Sequence, residues 1–491
     1  MVRQRLKKFA FYRYRYLLAY FVFAAAMATM LLVAGFYLPG GLTGTEMRSA
    51  LVSDNLSPAM LFNLQPEELI YLPYRLLQAG TISLFGISIL GIKLPSIILG
   101  FASALGMLYL LNLWYHRNVA IIAAMIAVTT NQFLLSAQAG QAGIAYIFLT
   151  TMILIAASMI ARRSAYAKLW IIAGFVLAGI SLYMPLNLYV LIALVLTSLI
   201  HPHARHLLFK QSPKVVVAFG TIVFLVIISP LVLGILNDPS ILRTLLGFSE
   251  NISNFTSNAG TLLRNYISFA NPTTGSVITP VYGLGIVLLI GLGLYRLFSA
   301  KYTAKSYIIS FWLLFLIPLV CLNPGFVSIT FIPVLLLIAL AVDYLIWSWY
   351  RLFPRNPYAR VFGLLPLAVL VVGLVVSSID RYVYGLHYDR AVYSSYSYDL
   401  PLLAAKLKSL DDNATVQLVV SQRSKEFYES FARHQRYVQK VSVTTSPAEV
   451  SLAPLSIVER DLKKSVEKLP SDIIVARTVE DSDRFYLYKN N

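Results

Sequence analysis

The stretch "GIKLPSIILGFASALGMLYLLNLWYHRN", residues 91–118, carries no charged side chain between Lys93 and Arg117. An apolar run of this length can cross a bilayer core of about 30 Å as a helix. It belongs to one of ten apolar runs that follow one another as far as residue 379. Because 58% of the 491 residues are apolar and 13% are charged, the chain is predicted to be a polytopic α-helical membrane protein.

The apolar runs differ in length, and one of them needs a break. They lie near residues 17–38, 87–114, 119–137, 144–161, 169–200, 215–236, 281–294, 307–322, 327–349 and 361–379. The run 169–200 has basic residues at both ends, so it must leave and return on the same side. Pro185 in "YMPLN" is the predicted break, and two short spans or a re-entrant hairpin both fit. Two spans here give about 11 transmembrane helices.

Every second connection between the runs is basic. These segments, with the tail at residues 1–16, hold 19 Lys and Arg and no Asp or Glu, which predicts that they are cytoplasmic. Of the net charge of +18, +17 arises from positions 1–379, where 24 side chains are basic and 7 are acidic. The charge is therefore interpreted as a topology signal, and no nucleic-acid partner is predicted.

Residues 380–491 have a different composition, with 16 basic and 15 acidic residues. Helical spacing at 398–410 and 424–434 alternates with β-rich segments such as "ATVQLVVS" (414–421) and "RFYLYK" (484–489). We expect three parts: a cytoplasmic tail (1–16), a transmembrane domain (17–379) and a small extracytoplasmic α/β domain (380–491). The protein is thus predicted to be a multi-pass plasma-membrane protein.

The acidic residues of the transmembrane domain concentrate in two long outer connections, residues 39–86 and 237–280. Loops of this length are usually functional. The acidic residues found there are Glu46, Asp54, Glu67, Glu68, Asp238 and Glu250. The seventh, Asp343, is predicted to lie near the cytoplasmic end of its span, at the interface or paired with Arg351 or another base there.

Five short motifs occur in order in the N-terminal third of the chain. They are "TEMRSA" (45–50), "LPYRLLQ" (72–78), "LFGIS" (84–88), "IKLPSIILG" (92–100) and "YHRN" (115–118). This set resembles the GT-C fold glycosyltransferases that use polyprenyl-phosphate sugars, among them the protein O-mannosyltransferases and the aminoarabinose transferases. The resemblance implies sugar transfer from a polyprenyl-phosphate donor to an envelope acceptor, at the outer face and among membrane lipid.

The chain departs from that family at its acidic positions. The family's acidic pair falls on Thr45 and Glu46, so the first carboxylate is missing, and its second acidic position falls on Gly143. Sugar transfer needs a base for the acceptor's proton and positive charge for the leaving phosphate. Glu46 is therefore the predicted catalytic base, with Asp54 next. The predicted lipid-phosphate ligands are Lys93, Arg75, Arg243 and Arg264.

No metal-ligand motif and no phosphate-binding glycine loop is present, so no metal or organic cofactor is predicted, although a divalent metal stays an open alternative. Two other functions also stay open. The first is a non-catalytic GT-C-like scaffold or lipid-glycan-binding protein that has lost the acidic pair. The second is a lipid or sugar transporter, which is disfavoured because only Asp343 is an acidic residue within a span.

Overall fold

The structure is a computed structural model in which the described residues are 10–38, 40–56, 65–162, 166–207, 213–248, 255–268, 277–299, 303–323, 325–352, 357–410, 415–434, 440–447, 450, 454–475 and 483–489. Helices dominate as far as residue 408, and strands follow.

The elements run in the following chain order. The helices as far as Tyr393 are α1 (Ala10–Phe36), α2 (Gly44–Asp54), α3 (Pro66–Leu69), α4 (Leu72–Phe85), α5 (Ile89–Trp114), α6 (Arg117–Val128), α7 (Asn131–Gln138), α8 (Gly143–Ala161), α9 (Ala167–Ser181), α10 (Asn187–Ile200), α11 (Pro202–His206), α12 (Lys214–Asn237), α13 (Ser240–Leu246), α14 (Phe255–Ile267), α15 (Leu284–Ser299), α16 (Ala304–Leu322), α17 (Phe331–Leu352, after a 3₁₀ turn at Val327–Thr330), α18 (Pro357–Tyr388) and α19 (Arg390–Tyr393). The remaining elements are α20 (Leu400–Lys408), β1 (Thr415–Val419), α21 (Lys425–His434), β2 (Lys440–Thr444), β3 (Leu455–Glu459), a 3₁₀ helix at Arg460–Ser465, β4 (Asp472–Val475) and β5 (Asp483–Lys489).

The apolar helices follow the predicted runs. Seven helices of the described chain are long and apolar enough to cross a membrane: α1, α5, α8, α12, α16, α17 with its 3₁₀ turn, and α18. Helices α6 and α7 form one further apolar pair, bent by 66°. Helices α9, α10 and α15 are shorter and apolar. The polytopic helical architecture is confirmed, while the total of 11 spans depends on the shorter helices and stays a prediction.

The run 169–200 is broken near the predicted position. Helix α9 ends at Ser181 and α10 begins at Asn187, and Leu186 between them has φ 68°, which a regular helix does not tolerate. At 1.5 Å per residue, helices of 15 and 14 residues are each shorter than a bilayer core of about 30 Å.

The two predicted outer loops contain helices in their described parts. Helices α2, α3 and α4 lie between residues 44 and 85, and α13 and α14 lie between α12 and α15. Helix α2 begins with a capping box, in which Thr43 and Glu46 satisfy each other's backbone N–H groups. Glu250 lies outside the described residues.

The strands near the C-terminus form one five-stranded sheet in the order β2-β1-β3-β5-β4. Strand β1 pairs in parallel with β2 and β3, whereas β5 runs antiparallel to β3 and β4. This small α/β unit agrees with the sequence prediction. Helix α18, however, continues to Tyr388, so the predicted boundary at residue 380 falls inside a helix.

The sheet unit packs on the helices that follow α1. One buried apolar cluster contains Met47 of α2 and Ile82 of α4 together with Leu403 of α20 and Phe431 of α21. Because this cluster crosses from one part to the other, burial of apolar surface holds α2 against the sheet unit.

Candidate active site

Three cavities surround α2. The central cavity, of about 700 Å³, lies between Thr43–Glu46, the α7–α8 connection and Ser394–Tyr398. The lateral cavity, of about 320 Å³, lies between α2, α4 and the 3₁₀ turn before α17. The rim cavity, of about 750 Å³, lies between α2, α3 and the start of α21.

Neutral polar side chains dominate the lining of the central cavity. Those with hydroxyl or amide groups are Thr43, Thr45, Gln132, Ser136, Gln141, Ser328, Ser394, Ser395, Tyr396, Ser397 and Tyr398. Among the described lining residues, Glu46 is the one acidic residue and no Lys, Arg or His is found. The wall can therefore hydrogen-bond a sugar but offers it no exposed charge.

The Glu46 carboxylate lies beneath the cavity wall in a buried ion pair. Its Oε1 is 3.6 Å from Lys93 Nζ, and both side chains are 0% exposed. Oε1 also accepts a hydrogen bond from the Gly140 N–H at 2.6 Å. Oε2 accepts from the N–H of Thr43 at 2.8 Å and from its hydroxyl at 3.0 Å. Both oxygens are thus engaged, as a buried carboxylate requires.

Two threonine hydroxyls connect this carboxylate to the cavity. Thr45 is exposed, and its Oγ1 lies 3.0 Å from Thr43 Oγ1. Because the Thr43 proton is donated to the Glu46 carboxylate, the Thr45 proton must point to Thr43. Gln141 Nε2 donates to Thr45 Oγ1 at 2.6 Å. One lone pair of Thr45 therefore remains for a molecule in the cavity.

The other member of the ion pair also connects to the cavity wall. Lys93 Nζ donates to Gln138 Oε1 at 3.1 Å, and Gln138 Nε2 donates to the Tyr396 hydroxyl at 2.7 Å. Burial, and next the charge of Glu46, raise the pKa of Tyr396, so this phenol stays protonated. The buried pair is thereby tied to the cavity through Thr45 on one side and Tyr396 on the other.

A buried glutamine fixes α2 in this position. Gln78 Oε1 accepts from Ser49 at 2.9 Å and from Ser53 at 2.8 Å. Its Nε2 donates to the carbonyls of Ile92 at 3.0 Å and Gly140 at 3.1 Å. Gln78 thus joins α2 to α5 and to the α7–α8 connection, and it holds Glu46 over Lys93.

The lateral cavity contains the basic residues that the central cavity lacks. Arg75 lines it, and its Nε donates to the Ile70 carbonyl at 2.9 Å. Its Nη1 is buried and has no hydrogen-bond partner among the described residues. Arg48 lines the cavity too, and it forms an ion pair with Glu67 at 2.5 Å in which both side chains are more than half exposed. Burial lowers the pKa of Arg75, but a guanidinium stays charged.

The structure brings only some of the predicted site residues together. Glu46 and Arg75 line adjoining cavities, whereas the ammonium of Lys93 is closed off by its pairing with Glu46. Arg243 and Arg264 lie on α13 and α14 and line none of the three cavities. Of the four predicted phosphate ligands, Arg75 is therefore the one that the geometry favours.

Asp54 lies away from Glu46, at the contact with the sheet unit. Its carboxylate is 3.3 Å from His434 Nε2 and accepts a hydrogen bond from the Ser430 hydroxyl. It lines none of the three cavities. Asp54 thus lies at the opposite end of α2 from Glu46, and its place as the second candidate base stays a prediction that this geometry does not favour.

The positions at which the family carries its acidic residues meet at one place. Thr45 and Gly143 both line the central and the lateral cavity, with Gln141 between them. Residues about 100 positions apart thus form the junction of the two cavities. Arg75, across the lateral cavity, adds positive charge to it.

The site residues predicted from the sequence did not include Thr43, Gln78, Gln138 or Tyr396. A signal existed for two of them, since "TGTE" (43–46) has the capping-box spacing and Gln138 interrupts an apolar stretch. For metal, no group of three or more His, Cys, Asp or Glu among the described residues is placed to hold an ion.

Known proteins share this architecture. Residues 73–233 match the family model described as dolichyl-phosphate-mannose-protein mannosyltransferase. Among solved structures, ArnT from Cupriavidus metallidurans bound to undecaprenyl phosphate is 13% identical, with 95% of this chain and 97% of that chain covered and a TM-score of 0.49. The archaeal oligosaccharyltransferase AglB from Archaeoglobus fulgidus is 11% identical, with 93% and 70% covered and a TM-score of 0.48. No curated protein matches the chain by sequence.

The apo structure of ArnT from Cupriavidus metallidurans is similar to this chain over the whole fold. It is 11% identical, 95% of this chain and 96% of that chain are covered, and the TM-score is 0.51. At this identity the similarity concerns the fold. The chain therefore has the GT-C glycosyltransferase fold, and the resemblance predicted from its five N-terminal motifs is confirmed.

Proposed function

We propose that this protein is a membrane glycosyltransferase that transfers a sugar from a polyprenyl-phosphate donor to an acceptor of the cell envelope, at the outer face of the membrane. The observation that carries the proposal is the junction at Thr45, Gln141 and Gly143. It places the family's two acidic positions between a cavity with basic residues and one lined by hydroxyl and amide groups.

The two cavities fit the two halves of such a donor. The buried Nη1 of Arg75 and the exposed guanidinium of Arg48 are suited to a phosphate, since arginine binds phosphate in bidentate fashion. The central cavity, with about 700 Å³ and many hydroxyl and amide groups, is suited to the sugar and the acceptor. The anomeric carbon would then lie near Thr45.

The base in this mechanism acts through a relay. The acceptor oxygen bonds to the anomeric carbon while the bond from that carbon to the phosphate oxygen breaks, and polyprenyl phosphate leaves with the electron pair. The acceptor's proton passes to Thr45 Oγ1, the Thr45 proton passes to Thr43, and the Thr43 proton passes to Glu46 Oε2. The distances of 3.0 Å from Thr45 to Thr43 and from Thr43 to Glu46 allow the second and third of these transfers.

One observation favours a second function. Glu46 is fully buried and ion-paired, and no other acidic residue is found among the described residues that line the central cavity. A protein that binds a lipid-linked glycan without transferring it would retain the same lining. A transfer assay must therefore distinguish this non-catalytic function from sugar transfer.

The test is donor consumption by the purified protein. It is reconstituted in nanodiscs and supplied with a panel of polyprenyl-phosphate sugars and envelope glycan acceptors, and both donor loss and donor binding are measured. Consumption of one donor supports transfer. Saturable binding without consumption supports the alternative, and the absence of both contradicts the two functions alike.

Arg75→Gln should weaken donor handling because it removes the charge nearest the proposed phosphate. A charge-assisted contact of this kind contributes about 1.5–3 kcal/mol, which corresponds to a rise of roughly 10- to 100-fold in the KM or Kd for the donor. Arg243→Gln is the matched control, since Arg243 is exposed and lines none of these cavities. If the Arg75→Gln variant binds donor as tightly as the Arg243→Gln variant, the proposal that the donor phosphate binds at Arg75 is wrong.

The prediction that the cavities lie at the outer face rests on the alternate connections, which hold 19 basic residues and no acidic residue and are therefore predicted to be cytoplasmic. A cysteine placed at Ser471 should react with an impermeant thiol reagent in intact cells, whereas one placed at Ala304 should react only after permeabilisation. Both residues are small and lie at or next to element ends. Labelling at Ala304 in intact cells would show that the predicted orientation is wrong and that the cavities lie on the cytoplasmic side.

A further inference from the structure

A fourth cavity lies far from α2 in the chain, at the ends of α15 and α17. This basic cavity has about 530 Å³ and lies between the last turns of the two helices. Its polar lining consists of Arg296 and Ser299 from α15 and of Ser348 and Arg351 from α17. Its aromatic lining includes Tyr344 and Trp347.

Helix packing explains why the cavity is found there. At Gly293 the helices approach so closely that a Cβ atom would meet the Leu337 carbonyl oxygen at 2.3 Å. One turn further on in α15, the larger Arg296 follows Gly293, and its guanidinium lies over the Tyr344 ring of α17. Residues 344, 348 and 351 follow helical spacing, which places them on one face of α17, toward α15.

The charge of the basic cavity is not balanced by its own lining. No acidic residue is found among its described lining residues, and neither Arg296 nor Arg351 forms a salt bridge within the described part of the chain. Asp343, one position before Tyr344, does not line the cavity and forms no salt bridge with either arginine in the described part of the chain.

The two arginines are instead held over aromatic rings. The guanidinium carbon of Arg296 lies 5.5 Å from the centre of the Tyr344 ring, and that of Arg351 lies 5.3 Å from the centre of the Trp347 ring. Stacking of this kind orients a guanidinium but leaves its N–H groups available. The two helix C-termini contribute roughly half a negative charge each. The two positive charges of the arginines exceed these partial negative charges, so the cavity has a net positive charge.

We propose that the basic cavity is a binding site for the phosphate of an anionic phospholipid headgroup. Two arginine forks and two serine hydroxyls match the donors that a phosphate accepts. Tyr and Trp are the residues found at headgroup depth. The basic connections predict that this end of α15 and α17 lies at the cytoplasmic leaflet, whose lipids are anionic. The site is independent of the proposed sugar transfer.

The test uses the full chain in phosphatidylcholine nanodiscs, titrated with phosphatidylglycerol. Native mass spectrometry should show bound phosphatidylglycerol, and the double variant Arg296→Gln/Arg351→Gln should lower its affinity roughly 30-fold, the expected effect of two basic residues beside an anionic lipid. Arg117→Gln is the matched control, because Arg117 lies 5.3 Å over the Tyr16 ring but lines no part of this cavity. The control should bind like the parent protein.

Other outcomes overturn the proposal. If the double variant binds phosphatidylglycerol as tightly as the parent protein, the proposed site is wrong. The same holds if the Arg117→Gln control loses as much affinity as the double variant. Glycerol phosphate that competes at the same concentration as the lipid would show that a free phosphate, and not a lipid, is the ligand. The single Arg351→Gln variant, at an exposed position, keeps the test valid if the double variant does not fold.

Discussion

Thr45→Val is expected to lower donor turnover at least about 100-fold, the lower end of what a positioned general base contributes. Valine has nearly the shape of threonine but has no hydroxyl, so the path from the central cavity to Thr43 and Glu46 is cut. The ion pair of Glu46 with Lys93 is not touched, and the capping box of α2 remains. The loss should therefore appear in kcat, with donor binding and the unfolding temperature unchanged.

Two companion variants at the same position sharpen this prediction. Thr45→Ser keeps the hydroxyl and should retain turnover. Thr45→Asp places a carboxylate directly at the cavity, at the family's own acidic position, and should also support turnover because the proton no longer needs Thr43. If Thr45→Val turns over donor at the parent rate, the relay is not on the reaction path.

Glu46→Gln should also abolish turnover, but it has a second effect. It leaves Lys93 charged and buried without its carboxylate, so folding and catalysis are lost together. The Thr45 variants are the cleaner test for this reason.

Lys93→Met is expected to destabilise the protein by about 3–5 kcal/mol, because removing one partner of a buried ion pair leaves an uncompensated charge. Glu46 would keep its three hydrogen bonds but lose the cation at 3.6 Å. The measurement is the unfolding midpoint of the full chain in detergent, with the folded yield as a second readout.

The double variant Lys93→Met/Glu46→Gln should recover part of that loss, since no buried charge remains and the glutamine oxygen still accepts from the Thr43 N–H, while its NH2 group faces the Gly140 N–H. The control pair is Arg48→Met/Glu67→Gln. Its side chains are 70% and 58% exposed, so breaking that ion pair should change stability by less than about 1 kcal/mol. A Lys93→Met variant as stable as this control would show that the buried pair contributes little.

Hydropathy and charge predict most of the architecture because a bilayer imposes long apolar helices. The break near Pro185 and the strands after residue 414 are also readable locally. The helices inside residues 39–86 are not, since their hydrophobic pattern is weak and their position depends on contacts such as Gln78 with α2 and α5.

The candidate site is predictable only in part. Glu46 can be identified from its position in a motif, but its burial depends on Lys93, which belongs to a different helix. Asp54 faces Ser430 and His434, which are separated from it by nearly 380 positions. Sequence patterns describe periodicity within a segment, and contacts between such distant segments form only when the whole chain packs.

The position of Ser394–Tyr398 in the cavity wall has a consequence for biogenesis. About 350 residues separate Thr45 from Tyr396, so at 5–20 residues per second the ribosome needs roughly 20–70 s between them. Throughout that interval the hydrogen bond from Gln138 to Tyr396 cannot form, whereas the first helices are already inserted in the membrane. A nascent chain arrested before residue 394 would thus be inserted in the membrane without one wall of the central cavity.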